Sequence, residues 1–163
     1  NGLRAADYRQ ILDWGGVTGV MIEHFGHFGS ATKEAMKADL ESLALAESKG
    51  KFAVLKGWPG FSWLDAEKMK QPREELLREA RANIVFPLAC FLVGAQPRSW
   101  FCYSWAYREG HGTLDAYAEF SKPLGRPRGD ARWDGYTAAR EFAHASVWVD
   151  LATRQARIEW ARG

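Results

Sequence analysis

The feature that most constrains this chain is a short apolar run that stops at a carboxylate. From Val17 to Ile22 only Thr18 and Gly19 interrupt apolar residues. Glu23, His24 and Phe25 then follow without a linker, and Gly26, His27, Phe28 and Gly29 come next. A run this short, bounded by glycines, reads as a strand buried on both faces, as in a parallel sheet. A charge does not belong inside such a strand, so Glu23 is expected at its C-terminal end. In parallel α/β folds substrates bind at that edge.

The pattern then repeats. Thr32 to Lys49 predicts a helix with Met36, Leu40 and Leu43 on one face and Gly50 at its C′ position. Phe52-Ala53-Val54-Leu55 predicts a second strand ending in Lys56-Gly57-Trp58-Pro59-Gly60. Pro72 suits the first position of a helix running from Arg73 to about Leu92, which Pro87 should kink or divide. Ser99 to Trp105 predicts a third strand, dense in aromatics. A short amphipathic helix is expected ahead of all this, from Ala5 to Trp14. Residues 108–136 read as loop, and the last stretch as a β-hairpin. Its arms are Phe142–Leu151 and Ala156–Trp160, and Ala152 to Gln155 form the turn.

Alternating α and β segments at this spacing argue for parallel βα units. Three strands cannot close a barrel, and a (β/α)8 barrel typically needs about 250 residues. The expected fold is therefore α/β: the C-terminal part of a (β/α)8 TIM barrel with parallel strands, followed by a C-terminal β-hairpin. Residues 1–107 would be the βα units, and 108–163 a long loop and hairpin packed on the same domain. An open three-layer sheet is the alternative. The chain opens at Asn1 without an initiating Met, which predicts a processed or partial chain. The rest of the barrel would then be its partner, and targeting information would be missing.

Composition narrows the function classes. The 163 residues are 47% hydrophobic and 26% charged, with a net charge of +2. That balance gives no case for nucleic acid, and Arg126 and Arg128 are too sparse to track phosphates. No membrane span is expected, because the longest apolar run, Ile84 to Ala95, is short and carries Pro87. Cys90 and Cys102 lack metal-ligand spacing and read as buried free thiols. No nucleophile elbow, phosphate loop or dinucleotide fingerprint is present, so no cofactor is expected.

Lys122-Pro123-Leu124-Gly125-Arg126-Pro127, the stretch from Arg140 to Leu151 and the strand ending at Glu23 together resemble the hypothetical glycosyl hydrolase family fifteen. The resemblance runs from about Gly19 onward. It implies a TIM-barrel glycosidase-like fold, with the barrel's first strands lying outside this sequence, and a carbohydrate substrate.

Glycoside hydrolysis generally uses two carboxyl groups, about 5–5.5 Å apart in retaining enzymes and about 6.5–9.5 Å apart in inverting ones. Glu23 fits one role by position, although a carboxylate there also suits a structural pairing with Lys56. Glu109 is the candidate partner after the third strand, or else a solvent partner of Arg108. The second acid is expected above all on the missing N-terminal half of the barrel, in which case this chain alone does not catalyse. Asp65 and Glu67 precede a helix and suit its dipole. His24 and His27 are candidate sugar-hydroxyl ligands or else ordinary loop histidines, since two histidines on a loop without a third ligand nearby give only a weak zinc signal. Lys56 is a candidate for binding a hydroxyl or an acidic sugar, or for orienting Glu23. Sugar rings pack their C–H faces on flat aromatic surfaces. Trp58, Trp63, Trp100, Tyr103 and Trp105 are therefore candidate platforms, with Trp58, Tyr103 and Trp105 assigned to substrate. Strand alternation requires several of these aromatics to be core instead.

Overall fold

The computed structural model describes residues 9–113 and 115–161. The part of the expected first helix before residue 9 lies outside the described residues, and the remainder contains a 3-10 turn over Gln10–Asp13. Three strands, β1 (Gly19–Ile22), β2 (Phe52–Gly57) and β3 (Ser99–Tyr103), form a parallel sheet in that order. Helix α1 (Lys33–Ser48) joins β1 to β2. Helices α2 (Arg73–Asn83) and α3 (Val85–Gly94) join β2 to β3.

The expected helices form for local reasons. Thr32 caps α1, its Oγ1 accepting from the Ala35 N–H at 3.2 Å. Gly50, at φ 70°, takes the left-handed turn that ends it. The single helix expected from Arg73 to Leu92 is two, parted at Ile84. Pro87 has no N–H to offer the Asn83 carbonyl, so the break falls one turn before it. The new helix starts where a proline costs least.

The partial TIM barrel is not what forms. After β3 the chain adds no further βα unit. It builds a separate antiparallel sheet from β4 (Arg132–Asp134), β5 (Thr137–Glu141), β6 (Ala145–Asp150) and β7 (Gln155–Trp160). The expected terminal hairpin is thus half of a four-stranded sheet. Helix α3 packs against both sheets, and α1 against α3 and the parallel sheet, so the layers run sheet, helix, sheet. Alternate residues Ala145, Val147 and Val149 of β6 are buried and belong to the same core as Leu88, Ala89 and Leu92 of α3. Among the described residues the parallel sheet has three strands and two open edges. Alternation of α and β gives strand direction, and direction is common to barrels and open sheets.

Ile22, Ala53 and Leu55 lie in this core. On the opposite face of the parallel sheet Met21, Val54 and Trp100 stand side by side in register. Met21 and Trp100 are exposed, and Phe52 packs edge-on to Trp100 at 5.7 Å. Among the described residues no helix is long and apolar enough to cross a membrane.

Candidate functional site

The C-terminal ends of the three parallel strands meet at one cluster. Glu23 directly follows β1, Lys56 is the penultimate residue of β2, and Tyr107 lies four residues beyond β3. The Trp58 indole N–H donates to the Glu23 backbone carbonyl at 2.8 Å, pinning the tip of β1 to that of β2. Tyr107 hydrogen-bonds the Glu23 carboxylate through its hydroxyl. Half of the Tyr107 residue is open to solvent, but burial at its hydroxyl end and this hydrogen bond push the phenol well above its ordinary range. His24 Nε2 stands 3.7 Å from Glu23 Oε2.

Lys56 sits on the open face of the sheet yet is only 2% exposed, because aromatics close over it. Its Nζ lies 2.9 Å from the Trp58 ring centroid and 4.8 Å from that of Tyr107, and donates to the Ser104 carbonyl at 3.3 Å. Burial pulls its pKa down to about 7, against the opposing pull of Cys102 and Glu23. The aromatic faces partly compensate the cation for lost water.

Around this pair the rings interlock. His27 stacks on Trp58 at 5.3 Å and Trp63 does so at 5.7 Å. Tyr107 meets Trp63 edge-on at 5.1 Å. Phe28 closes the group at 5.5 Å from Trp58, held at φ 48°, a conformation that costs a bulky residue energy. Burial, then Arg154, His24 and Lys56, lower the pKa of His27, which favours its neutral form.

The structure brings Glu23, His24, His27, Lys56 and Trp58 together. Trp58 is buried, its ring taken up by Lys56, His27 and Trp63, so the accessible ring surfaces belong to Phe28, Trp63 and Tyr107. Tyr103 and Trp105 are core residues. The Tyr103 hydroxyl donates to the Ala80 carbonyl at 2.8 Å, and Trp105, 1% exposed, packs on Phe61. The third strand ends at Tyr103, two residues earlier than expected, and the chain turns inward before reaching Tyr107. Glu109 is exposed on the 3-10 turn Glu109–His111, outside the side chains that touch one another around Glu23. Tyr107 was missed by reasoning from sequence, although an aromatic shortly after a strand end was a signal used for Trp58.

Beside the cluster is a pocket of about 590 Å³. Trp63 and Tyr107 form the wall it shares with the Glu23 group, and Arg73, Arg108 and His111 lie around it. Among the described residues no three His, Cys, Asp or Glu side chains gather as a metal set.

The sequence of this chain matches the family model of hypothetical glycosyl hydrolase family 15 over residues 15–146. The chain belongs to that family. The matched span of this glycosyl hydrolase family member covers all three parallel strands, the three helices and every residue of the Glu23 cluster and its pocket. Comparison with curated proteins finds no match.

Proposed function

We propose that this family 15 member hydrolyses O-glycosidic bonds of a poly- or oligosaccharide, with Glu23 as one of its catalytic carboxylates. The observation that carries the proposal is the gathering of Glu23, Lys56 and Tyr107 where three parallel strands end, with the Trp58 indole N–H joined to the Glu23 carbonyl at 2.8 Å. A carboxylate set beside a phenol and a lysine at the strand ends is placed to serve as one of the two carboxyl groups that glycoside hydrolysis uses. Trp63, Tyr107 and Phe28 supply apolar ring faces next to it, suited to sugar C–H surfaces. His24 and His27 are available for hydroxyl contacts, and Lys56 sets the local potential. The general acid has no residue assigned to it, since Glu109 does not join the cluster.

The test is Glu23→Gln in the full chain, assayed against a panel of glycans with the fold checked by circular dichroism. The expected result is a fall in turnover of roughly 10²–10⁴-fold, the usual contribution of a positioned acid–base group, with sugar binding retained. Unchanged turnover removes Glu23 from the mechanism. Binding without any cleavage by the parent chain favours a carbohydrate-binding module instead.

A further inference from the structure

The pocket beside Glu23 has a chemical character that the cleavage step does not require. Two arginines, Arg73 and Arg108, are among the described residues that line it, and no Asp or Glu is. Arg73 is fixed in place. Its Nε donates to the Gly110 carbonyl at 3.1 Å, and its Nη2 pairs with Asp115 at 2.5 Å. It therefore anchors the Glu109–His111 turn, and that turn begins next to Arg108. Arg108 makes no ion pair among the described residues. The Arg108 backbone N–H donates to His111 Nδ1 at 3.4 Å, so the neutral imidazole carries its proton on Nε2, as a donor. Burial, then Arg108, keep the pKa of this imidazole low. The remaining wall is aromatic and apolar, from Trp63, Tyr107 and Trp105.

These features describe one kind of occupant. A volume of about 590 Å³ falls within the usual range of ligand sites, about 300–1,000 Å³. Flat rings accept a sugar's C–H face, and a planar guanidinium matches a carboxylate through paired hydrogen bonds. A neutral sugar would leave Arg108 without a counter-charge, whereas a uronic acid supplies one.

We infer that the pocket bounded by Trp63, Tyr107, Arg73 and Arg108 is a subsite for a uronate unit of the glycan, its carboxylate held by Arg108 and its ring against Trp63. This rests on the hydrolase reading of Glu23, because Tyr107 is at once a wall of the pocket and the hydrogen-bond partner of that carboxylate. The subsite makes the protein a hydrolase of acidic polysaccharides.

The experiment is calorimetric titration of the Glu23→Gln full chain, in which turnover should be strongly slowed. The probes are tetrasaccharides of galacturonate, of hyaluronan and of chondroitin sulfate, with cellotetraose and maltotetraose as neutral controls. At least one non-sulfated uronate should bind tenfold or more tightly than either neutral chain. Arg108→Gln, a change at an exposed side chain, should cut that affinity by about tenfold or more, the usual effect of losing a hydrogen bond to a charged group. The neutral controls should not change.

Equal binding of neutral chains, no uronate binding, or uronate binding indifferent to Arg108→Gln overturns the subsite. Binding confined to the sulfated chain overturns the carboxylate assignment. The two readings fail separately. Undiminished turnover in Glu23→Gln with Arg108-dependent uronate binding removes the catalytic role and keeps the pocket. Cleavage that needs Glu23 but ignores Arg108 does the reverse.

Discussion

Lys56 holds an ammonium group where water barely reaches. Its pKa of about 7 lies below the ordinary 10.5, so the folded state binds fewer protons than the unfolded chain between those values. The cost of burying the charge is therefore fully present below pH 7 and is relieved as pH rises toward 10.5. Lys56→Met should raise the thermal midpoint at pH 6 by at least about 3 °C, since 1 kcal/mol moves a chain of this size by about 2–4 °C. By pH 10 most of the gain should have gone. A midpoint difference that is the same at both pH values would show that the lysine is not buried as a cation. Tyr107→Phe addresses the neighbouring contact. It should lower turnover by about ten- to a hundredfold, the effect of losing one hydrogen bond to a charged group, with little change in thermal midpoint. Glu23 was legible in the sequence because a charge ending an apolar run has few places to go. Tyr107 was not, because its position depends on where β3 stops. Trp105 is hard to place for the same reason: a tryptophan near a strand end looks alike whether the chain next turns outward or into the core, and here it is buried in the lining of the pocket.

Among the elements, α3 is gripped from two sides. Where β2 ends, a Cβ on Gly57 would meet Pro87 at 2.8 Å and Phe101 at 2.9 Å. Gly57→Ala forces strand and helix apart and should destabilise the fold by about 1–3 kcal/mol, the usual cost of overpacking, read as a lower urea midpoint. At the other end, the Arg140 guanidinium donates to the carbonyls of Leu92 at 3.1 Å and Ala95 at 2.6 Å, and to Gly129 at 3.1 Å. It is a cation capping the negative end of a helix from a strand of the other sheet. Arg140→Met leaves those acceptors without a donor, at about 1–3 kcal/mol for each one kept from water. The same urea titration measures it. The helices were readable because their stripes, caps and Pro87 are local signals. Strands β4 and β5 were not. Their arms are short and polar, and the turn signal of Asp134-Gly135, where β4 ends, is lost within a stretch that resembles loop.

Over the whole molecule, what escaped the sequence was closure. Three parallel strands were expected and three form, but whether a sheet curls into a barrel depends on strand number and stagger, which no local pattern encodes. The chain completes its core with a second sheet across α3 instead. That sheet also reaches the candidate site. Arg154, in the turn between β6 and β7, donates to the carbonyls of Gly26 at 2.7 Å and Ala31 at 3.3 Å, and its guanidinium lies over Phe86 at 5.3 Å. The loop that carries His24, His27 and Phe28 is thus tied down by a side chain from the opposite sheet. Arg154→Ala should speed amide exchange across residues 24–31 and lower turnover, while moving the thermal midpoint by no more than about 4 °C, the effect of roughly 1 kcal/mol. Exchange unchanged over that segment would mean that the loop holds itself.

The bond between Arg154 and Gly26 spans 128 positions of chain. At synthesis rates of roughly 5–20 residues per second, the ribosome releases Gly26 roughly 6–26 seconds before it releases Arg154. Throughout that interval the nascent loop lacks the side chain that fastens it, and chaperones and proteases meet its aromatic rings untethered. Substitutions at the β6–β7 turn should therefore reduce the yield of protein recovered from cells more than they reduce the stability of the protein once made.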